Sequence, residues 1–444
     1  MLQLKTFKPG GIHPPQQKLS ADTPIVWAEV PSQLLIPVQQ HIGKPCRVLV
    51  KKGDAVKRGD LLAESSGFIS SNVHAPVDGK VQKIMRFPLL GGQVHDVIQL
   101  TCNEAGASYR DIILQDKKEN EVDIDALTAA DIRKKIAAAG IVGMGGAGFP
   151  THVKLTPPEG KEIDTLLING AECEPYITAD HRIMLERSVE IIKGIRLLQT
   201  IFDGIPVFIG IEDNKPDAIQ AMNEAVRQLD HIDVVPLKTQ YPQGGEKQLI
   251  KAILGREVPS KGLPMDVGVV VQNVATVLAV YNAVYYDHAL TERVVTVSGN
   301  MVEKPGNIVL PVGTPVSFVM DKFNIAADKV RLFISGGPMM GRTSYSFESP
   351  ITKTTSALLF FDQSAVLQRE ENPCIRCGNC IHACPMGLAV AQLTAMVIAN
   401  GISPSAKESI LDCIECGSCS YVCPADRRLV HWMRLGKNII RREN

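Results

Sequence analysis

The sequence carries no excess of charge: 47 Lys and Arg stand against 47 Asp and Glu. Bulk attraction to nucleic acid or to an anionic membrane is therefore excluded, and any partner has to be recognised locally. Uniformly apolar runs are scarce as well. The longest stretch without a charged residue, Val267 to Tyr286, is interrupted by Gln272, Asn273 and Asn282. Its valine-rich start reads as a buried strand leading into a helix, not as a membrane span. The opening, MLQLKTFKPGGIHPP, has no apolar core behind its positive residues and meets proline at once. That excludes a secretory signal and makes a cytosolic chain, soluble or peripheral, the expectation. Disulfides are then not expected, so eleven cysteines argue for metal or redox chemistry.

What is present is a globular composition, 45% apolar and 21% charged, over 444 residues. That is too long for one ordinary core, so two to four domains are expected. From Val48 to Ile84 two similar units, VLVKKGDAVKRGDLLAE and VHAPVDGKVQKI, each pair a glycine turn with alternating apolar residues, which predicts a small sandwich or barrel. The units resemble biotinyl/lipoyl carrier domains, in which the turn between them carries a modified lysine. Here the turn is SSGFISSN and no lysine lies between Gly59 and Gly79, so a docking or scaffolding role is expected in place of a swinging arm. The charged stretch Gln115 to Val122 marks a boundary. Beyond it, strands such as TLLING and PVFIGIE alternate with helical stretches, which reads as an α/β domain. From Val294 the texture returns to strand and turn, ending near Ser335 to Gly341. The last segment, around GLAVAQLTAMVIANG, reads as helix and loop.

Two cysteine runs in that last segment carry the strongest chemical signal. Cys374, Cys377, Cys380 and Cys384, the last followed by Pro385, share their spacing with Cys413, Cys416, Cys419 and Cys423, the last followed by Pro424. Three closely spaced thiolates can cap three corners of a 4Fe-4S cubane, while the fourth cysteine, set off by proline, is directed to the other cluster. The expected ligand sets are therefore Cys374, Cys377, Cys380 with Cys423, and Cys413, Cys416, Cys419 with Cys384. Structural zinc also uses C-x-x-C pairs, but it does not call for three regularly spaced cysteines plus a fourth before proline, twice. Such clusters carry single electrons and do no bond chemistry alone, so something upstream must feed them. Cys46, Cys102 and Cys173 are scattered and read as buried bystanders.

A glycine run, Gly143, Gly145, Gly146 and Gly148, followed by Phe149 and Lys154, is the second signal. Bare backbone lets N–H groups approach a phosphate or a flat ring, and Lys154 can neutralise phosphate charge. The run has neither the nucleotide-triphosphate loop pattern nor the usual dinucleotide fingerprint. The stretch from Gly143 to Lys154 resembles the flavin-binding loop of the NADH-oxidising flavoprotein subunit of respiratory complex I. Further matches lie at Asn169-Gly170-Ala171-Glu172-Cys173-Glu174-Pro175, at Gly244-Gly245-Glu246, and at Asn273 with Thr276. The resemblance implies that these residues surround a non-covalent FMN and the nicotinamide of NADH, with Phe149 and Glu246 on the NADH side. Ala171 stands where that family usually has aspartate, and Gly245 where it has glutamate. No side chain is expected to act as a catalytic acid or base, Glu172 and Glu174 included.

FKPGGIHPP at the start, QHIGKP before the sandwich and the twin cysteine runs at the end together resemble the C-subunit family of Rnf membrane electron-transport complexes, over nearly the whole chain. That resemblance implies a multidomain α/β plus β chain. Its expected parts are a barrel-sandwich domain over 1–120, an FMN/NADH-binding α/β domain over 121–293, a β-grasp module over 294–345, and a helical two-cluster ferredoxin-like domain over 346–444. It also implies a peripheral subunit on the cytoplasmic face of the membrane, passing electrons between NADH and partner subunits, and ultimately ferredoxin, through FMN and two 4Fe-4S clusters. Two other readings stand beside it: a soluble flavin/iron-sulfur cobalamin reductase of a microcompartment, and a non-catalytic iron-sulfur adaptor.

Overall fold

The computed structural model describes residues 4–115, 123–344, 346–366 and 369–443. From residue 116 on, the expected boundary at Gln115 to Val122 lies outside the described residues.

The first core is the sandwich. One antiparallel sheet runs in the order Gln33–Pro37, Val94–Cys102, Gly79–Pro88 and Ala55–Val56, and a second joins Arg47–Val48, Leu61–Glu64 and Val73–His74. Two adjacent Gly-Asp turns repeat one device: Gly53 and Gly59 take left-handed backbone. After them Asp54 accepts from the N–H of Lys51 at 2.9 Å and Asp60 from that of Lys57 at 2.7 Å. The turn that would hold a carrier lysine is docked instead. Lys353, buried, donates from Nζ to the carbonyls of Asn72 in that turn (2.6 Å) and of Gly140 in the next domain (2.7 Å).

Burial pulls the Lys353 ammonium from 10.5 down to about 7. Below about pH 7 the folded and unfolded states both hold the proton, and folding carries the full cost of the buried charge. Between about 7 and 10.5 the unfolded chain binds the extra proton, so this group makes stability rise with pH through that window. Lys353→Met is expected to flatten the rise, while removing two donors from buried carbonyls, worth about 1–3 kcal/mol each. Thermal midpoints of both proteins across that pH range check it.

The second core is a parallel sheet in the order Ile232–Leu237, Val207–Glu212, Thr165–Asn169, Val269–Asn273. Parallel strands covered on both faces read as continuous apolar runs, as TLLIN and VVVQN do here. The uncharged stretch Val267 to Tyr286 resolves into the strand Val269–Asn273 and the helix Val274–Tyr286, buried on most of its surface against the helix Ser188–Ile201. Among the described residues no helix is long and apolar enough to cross a membrane.

The third core is a six-stranded sheet: Val26–Trp27, Gly306–Pro311, Glu292–Ser298, Ala357–Phe361, Leu332–Ser335, Arg342–Thr343. The sheet gathers strands from outside the expected module over 294–345. Ala357–Phe361, an unbroken buried run, pairs in parallel with Glu292–Ser298, so the sheet passes residue 345. Val26–Trp27 belongs here as well, although its sequence lies in the sandwich segment. Residues 5–20 run as an extended arm over the α/β domain, with Phe7 buried among Leu167, Leu237 and Leu249.

The C-terminal domain packs the helices Val390–Ile398, Pro404–Leu411 and Leu429–Glu443 around Leu393, Val397, Ile410 and Met433. The cysteine repeat is a repeat of backbone too. Arg376 and Glu415 both have φ of 59°, and Gly378 and Gly417, with φ of 80° and 81°, each precede a one-turn helix, Asn379–His382 and Ser418–Tyr421.

Candidate flavin and iron-sulfur site

In an open parallel sheet a ligand binds beyond the carboxyl ends of the strands, where the strand order reverses. Here the first strand, Thr165–Asn169, is flanked by the second and the fourth, so the switch point lies between Thr165–Asn169 and Val269–Asn273. The last residues of those two strands are register partners: Asn169 and Asn273. Both are committed to shaping the crevice. Asn169 donates to the carbonyl of Gly244 at 2.8 Å and accepts from the N–H of Ala171 at 3.2 Å. Asn273 caps the helix Val274–Tyr286, accepting from the N–H groups of Ala275 and Thr276, and donates to Asp180 at 2.6 Å.

The glycine run is held over this crevice as a closed loop. The N–H of Gly143 donates to the carbonyl of Phe149 at 2.9 Å, and Val142 bridges Pro150. The N–H of Met144 donates to the Thr276 hydroxyl at 2.9 Å, and the buried Arg293 donates to the Met144 carbonyl, also at 2.9 Å. At the far end a Cβ on Gly148 would stand 2.8 Å from the Thr354 methyl, and that residue's φ is +70°. Between these anchors the chain presents bare backbone: a Cβ on Gly146 would meet no protein atom within 4 Å, and one on Gly145 would lie 3.1 Å from Asn273. An exposed loop whose only side chain between Gly145 and Gly148 is the Ala147 methyl, at the mouth of a switch-point crevice, fits a flavin mononucleotide.

Several expected contacts are already engaged within the protein. Lys154, assigned to phosphate, pairs with Glu246, assigned to the NADH side, at 2.5 Å, so the two act as one unit. The Glu172 and Glu174 carboxylates are engaged as well. Glu172 accepts from the N–H groups of Asp180 (2.7 Å) and His181 (3.1 Å), neutralising the start of the helix Ala179–Glu186. Glu174 accepts from Met339 and Met340 of the neighbouring sheet domain, and burial pushes its carboxyl up to about 7. Burial, and next the Glu172 carboxylate, push Asp180 up as well. The two departures at the site have local reasons. Ala171 is buried, with its carbonyl accepting from Lys215 at 2.7 Å, and a Cβ on Gly245 would lie 2.4 Å from the Gln248 amide oxygen.

Cys384, Cys413, Cys416 and Cys419 line one cavity, walled by Met386 and Val430. On the other side burial, and to a smaller extent the neighbouring Cys423 and Cys374, push the Cys380 thiol up. Burial pushes the thiols of Cys413 and Cys419 up to about 11 and about 12. Among the described residues no three His, Cys, Asp or Glu side chains converge as ligands of a single ion would. A ring of thiol donors around an apolar-walled cavity fits a cluster in its donor chemistry. The two runs differ in exposure: Cys416 and Cys419 are buried, Cys374 and Cys377 are exposed, and Ile375 between them is 67% exposed.

A corridor joins the crevice to the cysteine cavity, and Tyr241, at its centre, is a residue that the sequence did not single out. The Tyr241 hydroxyl, three residues before Gly244, donates to the carbonyl of Cys416 at 2.8 Å. Ile12, Tyr241, Ala383 and Cys416 pack together with Cys173 and Met339 against them. The sulfur of Cys173 accepts from the Gly244 N–H at 3.4 Å, and burial pushes its thiol up, which keeps it protonated.

A switch-point flavin crevice joined to paired cysteine runs defines a flavin and iron-sulfur electron-transfer protein. Family models match the chain in four blocks: an RnfC barrel sandwich hybrid domain over 5–104, a Nuo51 FMN-binding domain over 136–282, an SLBB domain over 294–343 and a 4Fe-4S dicluster domain over 373–427. The chain is 43% identical to the C subunit of the proton-translocating ferredoxin:NAD(+) oxidoreductase complex of Clostridium ljungdahlii, over 98% of this chain and 94% of the relative. It is 41% identical to the Na(+)-translocating counterpart of Acetobacterium woodii, over 98% and 97%. It is 40% identical to the C subunit of the ion-translocating oxidoreductase complex of Rhodobacter capsulatus, over 90% and 77%. The chain belongs to this family of C subunits of ion-translocating ferredoxin:NAD(+) oxidoreductase complexes.

Proposed function

We propose that this chain passes electrons between NADH and the partner subunits of a membrane ferredoxin:NAD(+) oxidoreductase complex, with ion movement carried out by other subunits. Its place is the cytoplasmic face of the membrane, held there by partners. When bound, FMN exchanges a hydride with the nicotinamide and single electrons with the clusters. The observation that carries the reading is the Asn169/Asn273 crevice joined through Tyr241 to the cavity of Cys416.

In this reading the backbone from Gly143 to Gly148 seats the cofactor, Lys154 faces its phosphate, and Asn169, Asn273 and Thr276 fix the crevice floor. Gly244, with Glu172 and Glu174, frames the opposite wall. Phe149 and Glu246 orient the nicotinamide. Cys413, Cys416, Cys419 and Cys384 hold the cluster beside the flavin. Cys374, Cys377, Cys380 and Cys423 hold the outer one, whose exposed edge at Cys374 and Cys377 suits delivery to a partner.

The test is the visible spectrum of anaerobically purified protein before and after NADH. Flavin and cluster absorbance should both bleach. In Glu246→Ala, rapid mixing should show flavin bleaching slowed on the order of a hundredfold, because small misplacements of the donor are expensive in rate, while dithionite still reduces the clusters. Unchanged bleaching would remove Glu246 from the site. A flavin-loaded, unmodified protein that ignored NADH would favour the adaptor reading instead.

A further inference from the structure

The arm formed by residues 5–20 touches each part of the electron path. Its start extends the parallel sheet: the N–H of Lys238 donates to the carbonyl of Lys5 at 2.9 Å. Its middle reaches the C-terminal domain, where the N–H of Gly11 donates to the carbonyl of Ala383 at 3.1 Å. Ile12 and Tyr241 exchange both backbone hydrogen bonds at 2.8 Å, which holds the tyrosine whose hydroxyl reaches Cys416. Its end returns to the flavin side. All three protons of the Lys18 ammonium are used, on the carbonyls of Glu172 (2.7 Å), Glu174 (2.9 Å) and Ile177 (2.7 Å).

The two glycines show how little tolerance there is. A Cβ on Gly10, with φ of +77°, would lie 2.4 Å from the carbonyl oxygen of Cys384 and 2.7 Å from the nitrogen of Pro385. A Cβ on Gly11, with φ of +91°, would lie 1.9 Å from the Gln240 amide nitrogen. That amide is itself a clamp on the arm, donating to the carbonyl of Gly10 at 2.8 Å while its oxygen accepts from Thr6 at 2.7 Å. Backbone therefore lies on backbone beside Cys384, with no side chain between to yield.

We propose that the arm is a positioning strap that sets the separation between the flavin and the cluster held by Cys413, Cys416, Cys419 and Cys384, with Gly10, Gly11 and Gln240 as its positioning residues. The inference rests on the flavin-to-cluster reading above. Each transfer would pass one electron from the reduced flavin to the oxidised cluster, with the flavin's ring protons released to solvent as it is reoxidised. The rate is then governed by geometry, which the strap holds from both sides.

The test uses the full chain, loaded with FMN and reconstituted with iron and sulfide, as Gly10→Ala and Gln240→Leu. NADH should bleach the flavin as fast as in the unmodified protein, and iron content should stay the same. Cluster bleaching should lag behind it by on the order of tenfold to a hundredfold. Flavin fluorescence, quenched by the neighbouring cluster, should rise in both variants; this readout needs no turnover. Should Gly10→Ala lose iron, Gln240→Leu decides, since it leaves Cys384 untouched. Unchanged lag and unchanged fluorescence in Gln240→Leu would overturn the strap. A failure of NADH to bleach the unmodified protein would instead overturn the redox reading beneath it, so the two failures are distinguishable.

Discussion

Cys384→Ala is expected to cost the protein a cluster, and not the one whose run Cys384 closes. The residue sits in the first run by sequence, yet it lines a cavity with Cys413, Cys416 and Cys419 of the second. Two cubanes account for roughly eight iron atoms per chain, and the variant should fall short of that. Low-temperature resonance spectra of the reduced protein should lose the signal of one cluster and keep the other. Alanine leaves the backbone at 384 in place, so its approach to Gly10 survives and the fold should persist. NADH should still bleach the flavin, with electrons no longer leaving it at the normal rate. Cys377→Ala makes the complementary case: the inner cluster fills from the flavin, and delivery to downstream acceptors fails. Loss of the outer cluster's signal in Cys384→Ala would show that the runs do not exchange ligands.

These expectations trace back to features of very different legibility. The cysteine spacing was readable because ligand geometry acts over a few residues, and the structure repeats the same φ values at Arg376 and Glu415 and at Gly378 and Gly417. The alternation of apolar strands and helices was readable for the same local reason, as was the absence of a carrier lysine between Gly59 and Gly79. The site residues themselves were reached through family likeness, since no local pattern says that Asn169 and Asn273 end neighbouring strands. Contacts spanning long stretches of chain left no mark in the sequence. Lys18 holds a loop more than 150 residues away, and Lys353 ties the sandwich turn to Gly140. The same holds for the six-stranded sheet, which gathers Val26–Trp27 and Ala357–Phe361 from beyond its expected bounds. Its pairing partners are chosen by packing, and short apolar runs do not declare them.

Gly145→Val is expected to empty the flavin site while leaving the clusters in place. A Cβ at this position would lie 3.1 Å from the Asn273 Cβ and 3.3 Å from its amide, and valine adds two further carbons at that point. Asn273 has little freedom to withdraw. Its oxygen caps the helix Val274–Tyr286 and its nitrogen is bound to Asp180, and losing the cap alone costs about 0.5–2 kcal/mol. On the other side Met144 is tied by Thr276 and Arg293. The loop must therefore shift between fixed neighbours, and its displaced backbone no longer follows a flat ring or a phosphate. Gly146→Ala separates the fold from the cofactor. Its methyl would meet no protein atom within 4 Å, so the thermal midpoint of the flavin-free protein should be unchanged, and only FMN affinity should fall. Flavin released by denaturation, set against cluster absorbance in the same sample, measures both variants. A folded Gly145→Val protein that kept its FMN would show that the cofactor does not sit against this loop.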